Sequence, residues 1–223
     1  MSVLSQILAV IAELLLKSEW ENLRKKLLLQ YVCHQHEKAY LPPLLTLQLL
    51  ISGEDHRYLR HPGFDWIAIC RAVWRRFACG VTEGASTIEQ QIVRVLTGRY
   101  ERTFRRKLRE ILLAVLVART IPKPELPGIY LEIAYFGWRM NGFRQACQRL
   151  KLNPMTISLE DAASLVARLK YPEPRVLPKM RLSQIQIRTR HLIMLHKLHL
   201  ENGVYGYARH NFYKAFQDNR CAM

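Results

Sequence analysis

The stretch ERTFRRKLREILLAVLVART, residues 101–120, predicts a long helix whose polar first half passes into a buried second half. Arg106 and Glu110 are four residues apart in it and therefore share one helix face. The apolar run 111–118 is the longest unbroken one in the chain, yet a membrane-spanning helix needs ~20 apolar residues. The stretch therefore indicates a core helix of a mainly α protein.

Helix signals continue on both sides of this stretch. Asp65 is placed to cap the helix DWIAICRAVWRRF. Ser86 is followed three residues later by Glu89, the spacing of a capping box, and Ser158 opens a similar capped segment. Residues 179–201 predict one more helix, Pro-rich breaks fall at 122–127 and 172–178, and alternating strand patterns are nearly absent.

Two segments carry apolar stripes at helical spacing. The first consists of Leu4, Ile7, Ile11, Leu14 and Leu15 within residues 1–20, and the second of Trp66, Ile69, Val73 and Phe77. The N-terminal segment lacks the early basic residues of a signal peptide. Two interpretations stay open for it: a helix packed on the core, or a helix lying in the membrane interface.

Composition limits the possible partners of the chain and the state of its cysteines. The 223 residues are 49% hydrophobic, enough for a sizeable core, and 34 basic against 18 acidic residues give a net charge of +16. Such a field attracts polyanions, among them nucleic acid, acidic membranes and phosphate-bearing substrates. Five cysteines form no CxxC pair, and CHQH at 33–36 has no second ligand pair, so we expect reduced thiols and no structural zinc.

Three polar clusters interrupt the apolar helices. They are GEDHRYLRHPGFD (53–65), EGASTIEQQIVR (83–94) and RRKLRE (105–110). Taken singly, they are typical of a solvated loop, a helix cap and a surface salt bridge. Their joint occurrence, in this order and at these spacings, indicates a site.

The clusters resemble the motifs of the peptidoglycan glycosyltransferases of family 51, in their monofunctional form. The first family motif, E-D-x-x-F-x-x-H-x-G-x-D, stands here as EDHRYLRHPGFD with Tyr58 for Phe; the second and third are GASTIEQQIVRV and RKLRE. The fourth is eroded in KPELPGIYLEIAYFG from Lys123. Arg94 replaces a Lys, and Val95 and Glu132 replace Asn. Pro124 and Pro127 are expected to disturb the fourth helix.

The resemblance implies a lysozyme-like large lobe and a smaller membrane-facing lobe. We expect an N-terminal amphipathic segment (1–40), a catalytic core (41–175) and a C-terminal helical part of the same domain (176–223). The implied reaction transfers a glycan from a polyprenyl diphosphate carrier to the 4-hydroxyl of another lipid-linked disaccharide, which is the polymerisation of lipid II.

Roles follow from the motif positions. Glu54 would be the general base, and Glu110 the second essential glutamate; Asp55 would help to raise the proton affinity of the site. A diphosphate leaves without protonation if its charge is neutralised, which requires fixed cations. The remaining expected substrate contacts are His61, Arg94, Arg106, Lys107 and Lys123, together with Ser86, Thr87, Gln90 and Gln91. For the last four residues, a capping role and a sugar-binding role both stay open.

The resemblance also implies partners and a location. We expect the lipid-linked disaccharide, the growing glycan strand, an anionic membrane surface and other cell-wall synthesis proteins as partners, but not nucleic acid. We expect no protein metal site, although a divalent cation such as Mg²⁺ or Mn²⁺ is compatible with the chemistry, and a peripheral position on the periplasmic face of the bacterial inner membrane. The alternatives are a lysozyme-like hydrolase, which the cationic third motif disfavours, and a non-catalytic basic module that binds membrane or nucleic acid.

Overall fold

A computed structural model of the chain describes residues 3–36, 41–81 and 84–205, and in these ranges it is mainly helical. The helices are α1 (Val3–Leu15), α2 (Lys17–His36), α3 (Leu44–Glu54), α4 (Trp66–Cys79), α5 (Ile88–Thr97), α6 (Phe104–Thr120), α7 (Leu126–Ile133), α8 (Phe143–Leu150), α9 (Leu159–Lys170) and α10 (Lys179–Glu201). Two short antiparallel strands, β1 (Tyr135–Gly137) and β2 (Met140–Asn141), form the sheet in the described part. The predicted fold class is confirmed.

Side-chain caps fix several of the helix starts. Asp65 accepts hydrogen bonds from the backbone N–H groups of the first turn of α4, and Ser158 accepts one at the start of α9, as predicted. The predicted capping box at Ser86 is wrong. Thr87 caps α5 and accepts from the N–H of Gln90, which shifts the helix start by one residue and releases the Glu89 carboxylate for another role.

The prolines of the fourth motif start a helix and do not break one. Pro124 lies in a 3-10 turn, Lys123–Glu125, and Pro127 lies in the first turn of α7. In a first turn the N–H that proline lacks has no helical acceptor, so no hydrogen bond is lost. The expected disturbance is therefore absent from α7.

Contacts divide the chain into two compact units, and each is described by itself. Unit 1 comprises residues 1–33 and 57–126, and unit 2 comprises 34–56 and 127–223. In unit 1, α1 and α5 pack on α6, whose second half is buried from Leu112 to Val117, as predicted. Gly63 has a positive φ of 105°, and a Cβ there would lie 2.5 Å from the carbonyl oxygen of Ala114, so only glycine fits.

Two helices of unit 1 turn their large apolar side chains outwards. Helix α1 buries the small residues Ser5, Ala9 and Ala12, whereas its whole predicted stripe is exposed, with Leu14 at 76%. On α4, most of the predicted stripe is likewise exposed, and Phe77 reaches 84%. Helix α1 therefore packs on the core, but through its small residues and not through the predicted stripe, and the membrane-interface interpretation stays a prediction.

The core of unit 2 lies between α3, α9 and α10. Its buried side chains are Leu49, Ala162, Ala163, Val166, Ala167, Ile185 and Leu192. The small residues of α9 let the three helices approach closely, in the manner of ridges and grooves. Helix α8 packs beside the β1–β2 hairpin, and Gly142 at the hairpin end has φ 88°, where a Cβ would collide with the carbonyl oxygen of Glu132.

Two further expectations concern membranes and thiols. None of the described helices combines the length and the apolar character needed to cross a bilayer. Cys33, Cys70, Cys79 and Cys147 are free thiols, as expected, and Cys221 lies outside the described residues together with the rest of 206–223. The division into segments 1–40, 41–175 and 176–223, and the assignment of two lobes, stay predictions.

Candidate active site

In unit 1, the buried carboxylate of Glu110 gathers three cationic side chains. Arg94 reaches it from α5 with two hydrogen bonds, Nε to Oε2 at 3.1 Å and Nη2 to Oε1 at 2.9 Å. Lys107 Nζ lies 3.0 Å from Oε1, and Arg106, one turn before Glu110 on α6, donates to Oε2. Glu110 is only 3% exposed. The four groups together carry three positive charges and one negative charge, so the cluster has a net charge of +2.

Electrostatics inside this cluster shift the pKa values of its members. Burial opposes ionisation of Glu110, but the hydrogen bonds and charges of Arg94 and Lys107 outweigh it, and the pKa of Glu110 falls below its ordinary value. The pKa of Lys107 is also lowered, because burial and the repulsion of Arg94 and Arg106 exceed the attraction of Glu110. The cluster therefore favours the ionised form of the Glu110 carboxyl group, and it disfavours the charged form of the Lys107 amine relative to a lysine in water.

Polar residues of the second motif hold the cations in place. Ser86 Oγ accepts from Lys107 Nζ at 2.9 Å and from Arg94 Nη2 at 3.3 Å. Gln90, fully buried, accepts from Lys107 through Oε1. Thr87 caps α5 and donates to the carbonyl oxygen of Gly63 at 2.7 Å, which ties the second motif to the end of the first. Thus Ser86 and Gln90 join the Glu110 cluster, and Thr87 has a structural role.

Lys123 belongs to a second group of contacts in unit 1, formed with Glu89, His61 and Tyr58. Gln91 sits on α5, half-buried. Lys123 Nζ lies 3.0 Å from Oε1 of Glu89, donates to the carbonyl oxygen of His61, and sits 4.6 Å from the ring centroid of Tyr58. Its side chain is thereby fixed within unit 1.

His61 and Tyr58 complete the second group. The ring of His61 stands edge-on to that of Tyr58, with centroids 6.1 Å apart, and His61 Nδ1 accepts from the N–H of Gly63 at 3.3 Å. The Tyr58 hydroxyl donates to the carbonyl oxygen of Lys123. His61 therefore shapes the turn of the first motif, and the replacement of Phe by Tyr at 58 adds a hydrogen bond.

Glu54 and Asp55 belong to unit 2. Glu54 is the last residue of α3, and its Oε1 lies 3.3 Å from Nη2 of Arg188, which also donates to the carbonyl oxygen of Gly53 at 2.7 Å. Asp55 is buried at the C-cap of α3, where its N–H donates to the carbonyl oxygen of Ile51. The two adjacent acids thus have different surroundings, since the Glu54 side chain is 17% exposed.

Glu132, which stands where the family motif has Asn, has a hydrogen-bond partner in unit 2. Its Oε1 lies 2.6 Å from Nδ1 of His34, which is buried at the end of α2. A Cβ at Gly128 would lie 2.6 Å from the His34 ring, so this glycine makes room for the pair. His34 of the CHQH stretch is therefore a hydrogen-bond partner of Glu132. Nothing in the structure explains Val95.

Two residues that the sequence did not single out for the site contact its members. Glu89 is fully buried and pairs with Lys123, and Arg188 pairs with Glu54. The sequence signal for Glu89 was an acid inside the second motif, but the capping-box interpretation assigned it to the start of a helix. Arg188 carried none, because it is one of many basic residues on a charged helix and 134 positions separate it from Glu54.

Comparison with known proteins decides the family. The family model Transglycosylase matches residues 30–199, a span that contains all four motifs. This chain belongs to the transglycosylase family. The resemblance read from the motifs is confirmed at the level of the family.

Curated relatives of this transglycosylase carry one name, penicillin-binding protein 1A. The protein from Vibrio cholerae is 37% identical over 107 residues, which are 48% of this chain and 13% of the relative. The protein from Aquifex aeolicus is 34% identical over 132 residues, 58% of this chain and 18% of the relative. The protein from Haemophilus influenzae is 36% identical over 120 residues, 52% and 14% respectively. The matched region therefore spans less than a fifth of these relatives, and the monofunctional type stays a prediction.

Proposed function

We propose that this transglycosylase polymerises lipid II, the disaccharide carried on a polyprenyl diphosphate. In the proposed step, the carboxylate of Glu54 takes the proton of an acceptor 4-hydroxyl, and that oxygen forms a bond to the anomeric carbon of the donor. The bond from this carbon to the diphosphate oxygen breaks, and the diphosphate leaves with the electron pair. Atoms and charge balance without any further reactant.

The observation that carries the proposal is the net charge of the Glu110 cluster. A diphosphate leaves as an anion, and fixed cations stabilise the charge that grows on it in the transition state. Arg94, Arg106 and Lys107 supply three such cations, and Glu110 holds them in place before substrate binds. Guanidinium groups also bind phosphate oxygens in a bidentate manner. An ordinary glycosidase needs a carboxylic acid to protonate its leaving group, and a carboxylate locked between three cations is unsuited to that task.

The surroundings of Glu54 suit a base. Its ion pair with Arg188 requires the ionised carboxylate, which is the form that accepts a proton. Part of the side chain is exposed, so a hydroxyl can approach it. Asp55, buried next to it, adds negative charge close by in the chain and stays a proposed contributor to its basicity.

A resident Mg²⁺ or Mn²⁺ does not fit the Glu110 carboxylate. Both of its oxygens already accept from cationic side chains, and a divalent cation there would meet three positive charges at close range. We therefore derive no step through a metal at this position. A divalent cation that arrives with the diphosphate counts as part of the substrate.

We further propose that the chain works at the periplasmic face of the inner membrane. The outward apolar faces of α1 and α4 would enter the headgroup region, and the net charge of +16 would attract an anionic leaflet at ~1 kcal/mol for each nearby Lys or Arg. Membership of the transglycosylase family supports two further proposed partners, the growing glycan strand and other cell-wall synthesis proteins.

A product assay tests the main proposal. Purified chain is incubated with lipid II, and the length of the glycan is followed by gel electrophoresis. We expect longer glycan chains and release of the polyprenyl diphosphate. Shortening of preformed peptidoglycan would support a hydrolase in its place, and the lack of any product together with tight DNA binding would support a basic binding module.

Vesicle binding tests the membrane proposal. The variant Ile7→Ser/Leu14→Ser changes the outward face of α1 without touching its packing side. We expect its binding to anionic vesicles to fall by about a hundredfold or more, since two lost apolar side chains, each worth ~1.5 kcal/mol or more when buried, together amount to ~3 kcal/mol. Ile187→Ser, at an exposed position of α10, serves as the control. Binding should also fall steeply with salt, because the Debye length shrinks to ~3 Å at 1 M. Equal loss in both variants would contradict the proposal.

A further inference from the structure

A cavity in unit 1 lies outside the Glu110 cluster. Its volume is about 580 Å³, within the range of ~300–1,000 Å³ typical of ligand sites. It lies between the start of α1, the segment from Arg57 to Trp66 and the second half of α6. None of the residues that hold Glu110 lines it.

Part of the cavity lining is apolar and is called the apolar wall. Its larger side chains are Leu4, Leu59, Phe64, Trp66 and Val115. Leu4 and Trp66 are more than half exposed and belong to the outward faces of α1 and α4. The cavity is therefore reached from the apolar surface of unit 1, and a hydrocarbon chain can occupy it without losing contact with that surface.

The lining also contains four basic side chains: Arg57, Arg60, Arg119 and Lys123. Two of them are neutralised by acids. Arg57 Nε donates to Oδ2 of Asp65 at 2.8 Å, and Lys123 pairs with Glu89.

The side chains of the remaining two cations, Arg60 and Arg119, are exposed and form no ion pair or hydrogen bond within the described ranges. They leave the cavity with two uncompensated positive charges. Guanidinium groups of this kind bind phosphate oxygens through paired N–H donors. A cavity lined by apolar side chains and by two such guanidinium groups thus matches an amphiphile with a phosphate headgroup.

We propose that this cavity binds one molecule of an anionic phospholipid, with the phosphate between Arg60 and Arg119 and an acyl chain against the apolar wall. The lipid is a ligand of the membrane in which the chain works, and it is neither donor nor acceptor of the glycan. The site would fix the orientation of α1 and α4 on an anionic bilayer. This goes beyond the proposed transfer reaction and does not depend on it.

Native mass spectrometry of the full chain in a neutral detergent tests the proposal. The probe is dioleoyl phosphatidic acid, with dioleoyl phosphatidylcholine as the zwitterionic comparison and inorganic phosphate as the headgroup alone. We expect one phosphatidic acid per chain, at least tenfold weaker binding of phosphatidylcholine, and no displacement of the lipid by phosphate at equal concentration.

Variants locate the lipid. Arg60→Gln/Arg119→Gln should weaken binding of phosphatidic acid at least tenfold. The control Arg24→Gln/Arg190→Gln removes the same charge at exposed positions outside the cavity and should stay within twofold of the unchanged chain. Ala118→Phe fills the cavity without changing charge and should also weaken binding at least tenfold. A melting curve of each variant shows that it is folded.

Several outcomes would overturn the proposal. Unchanged affinity in Arg60→Gln/Arg119→Gln would remove the guanidinium contact, and equal loss in the control would reduce the effect to net charge. Equal binding of phosphatidylcholine would exclude recognition of the anion, and displacement by inorganic phosphate would exclude a lipid site. Because phosphatidic acid is no substrate, these results are independent of whether the chain polymerises lipid II.

Discussion

The two glutamates of the motifs stand in opposite surroundings. Glu110, in unit 1, is 3% exposed and accepts from three cationic side chains. Glu54, in unit 2, has a side chain 17% exposed, with Arg188 as its ion-pair partner. The Glu110 carboxylate is enclosed by the cations that it holds in place, whereas part of the Glu54 side chain is open to solvent. The contrast supports the proposed roles, in which Glu110 organises charge and Glu54 takes the proton.

Removing the base should give the largest effect. We expect Glu54→Gln to lower turnover by ~10³-fold, within the 10²–10⁴-fold range of general base catalysis, because the amide keeps the shape and loses the basicity. The melting temperature should stay within one or two degrees of that of the unchanged chain. Glycan synthesis from lipid II and a thermal melt measure the two quantities. Turnover within a few-fold of the unchanged chain would remove Glu54 from this role.

Glu110→Gln should affect both activity and stability. The amide leaves three cations without their counterion, so we expect turnover to fall by about a hundredfold and the free energy of unfolding by about 2 kcal/mol; the loss is smaller than for a fully buried pair, because the cations are partly exposed. Denaturant unfolding measures the stability. Glu160→Gln, at an exposed position of α9, is the control. If Glu110→Gln melted as Glu54→Gln does, the contrast between the two glutamates would be lost.

The same contrast predicts a dependence on pH. The pKa of Glu110 is lowered from 4.5 in the folded chain, so its contribution to stability is fully present above pH 4.5 and is lost as the pH falls through the folded pKa. We therefore expect the stability difference between the unchanged chain and Glu110→Gln to shrink in acid. Urea unfolding at pH 7 and pH 3 gives the two differences. A difference that stayed constant would contradict the ion-pair origin of the effect.

Removing one cation of the cluster should lower turnover less than removing Glu110, the counterion that the cations share. We expect Arg106→Ala and Lys107→Ala each to weaken lipid diphosphate binding and turnover about tenfold, since a diphosphate is charged both before and during its departure. Arg105→Ala, next to them but exposed, is the matched control. Inhibition by inorganic pyrophosphate measures the binding. The phosphate-clamp role fails if both variants respond to pyrophosphate as the unchanged chain does.

The smallest effect is expected at Arg188, the ion-pair partner of Glu54. Arg188→Gln should reduce turnover only a few-fold, because Glu54 stays a carboxylate and loses an orienting, positively charged contact. The pH profile of turnover should shift, which a purely structural contact would not cause. Arg190→Gln, an exposed neighbour on α10, is the control. A loss as large as that of Glu54→Gln would make Arg188 part of the chemistry and would break the distinction drawn above.

Much of this architecture could be predicted from local patterns. The buried half of α6, the caps at Asp65 and Ser158 and the pair of Arg106 with Glu110 follow from spacing, because each involves residues within one or two turns. The outward orientation of the apolar stripes on α1 and α4 could not be predicted from such patterns. Periodicity shows that a face is apolar, and it cannot show whether protein covers that face.

By itself, the sequence determined the helical class, the family and the order of the motifs, since these depend on neighbouring residues and on matched positions along the chain. Tertiary structure alone decided which polar side chains distant in the sequence meet. Glu89 with Lys123, Glu54 with Arg188 and Glu132 with His34 join residues 34 to 134 positions apart. No local pattern predicts such pairs, because the two residues come close to each other only in the folded chain. Once a pair is buried, removing one partner is costly in free energy.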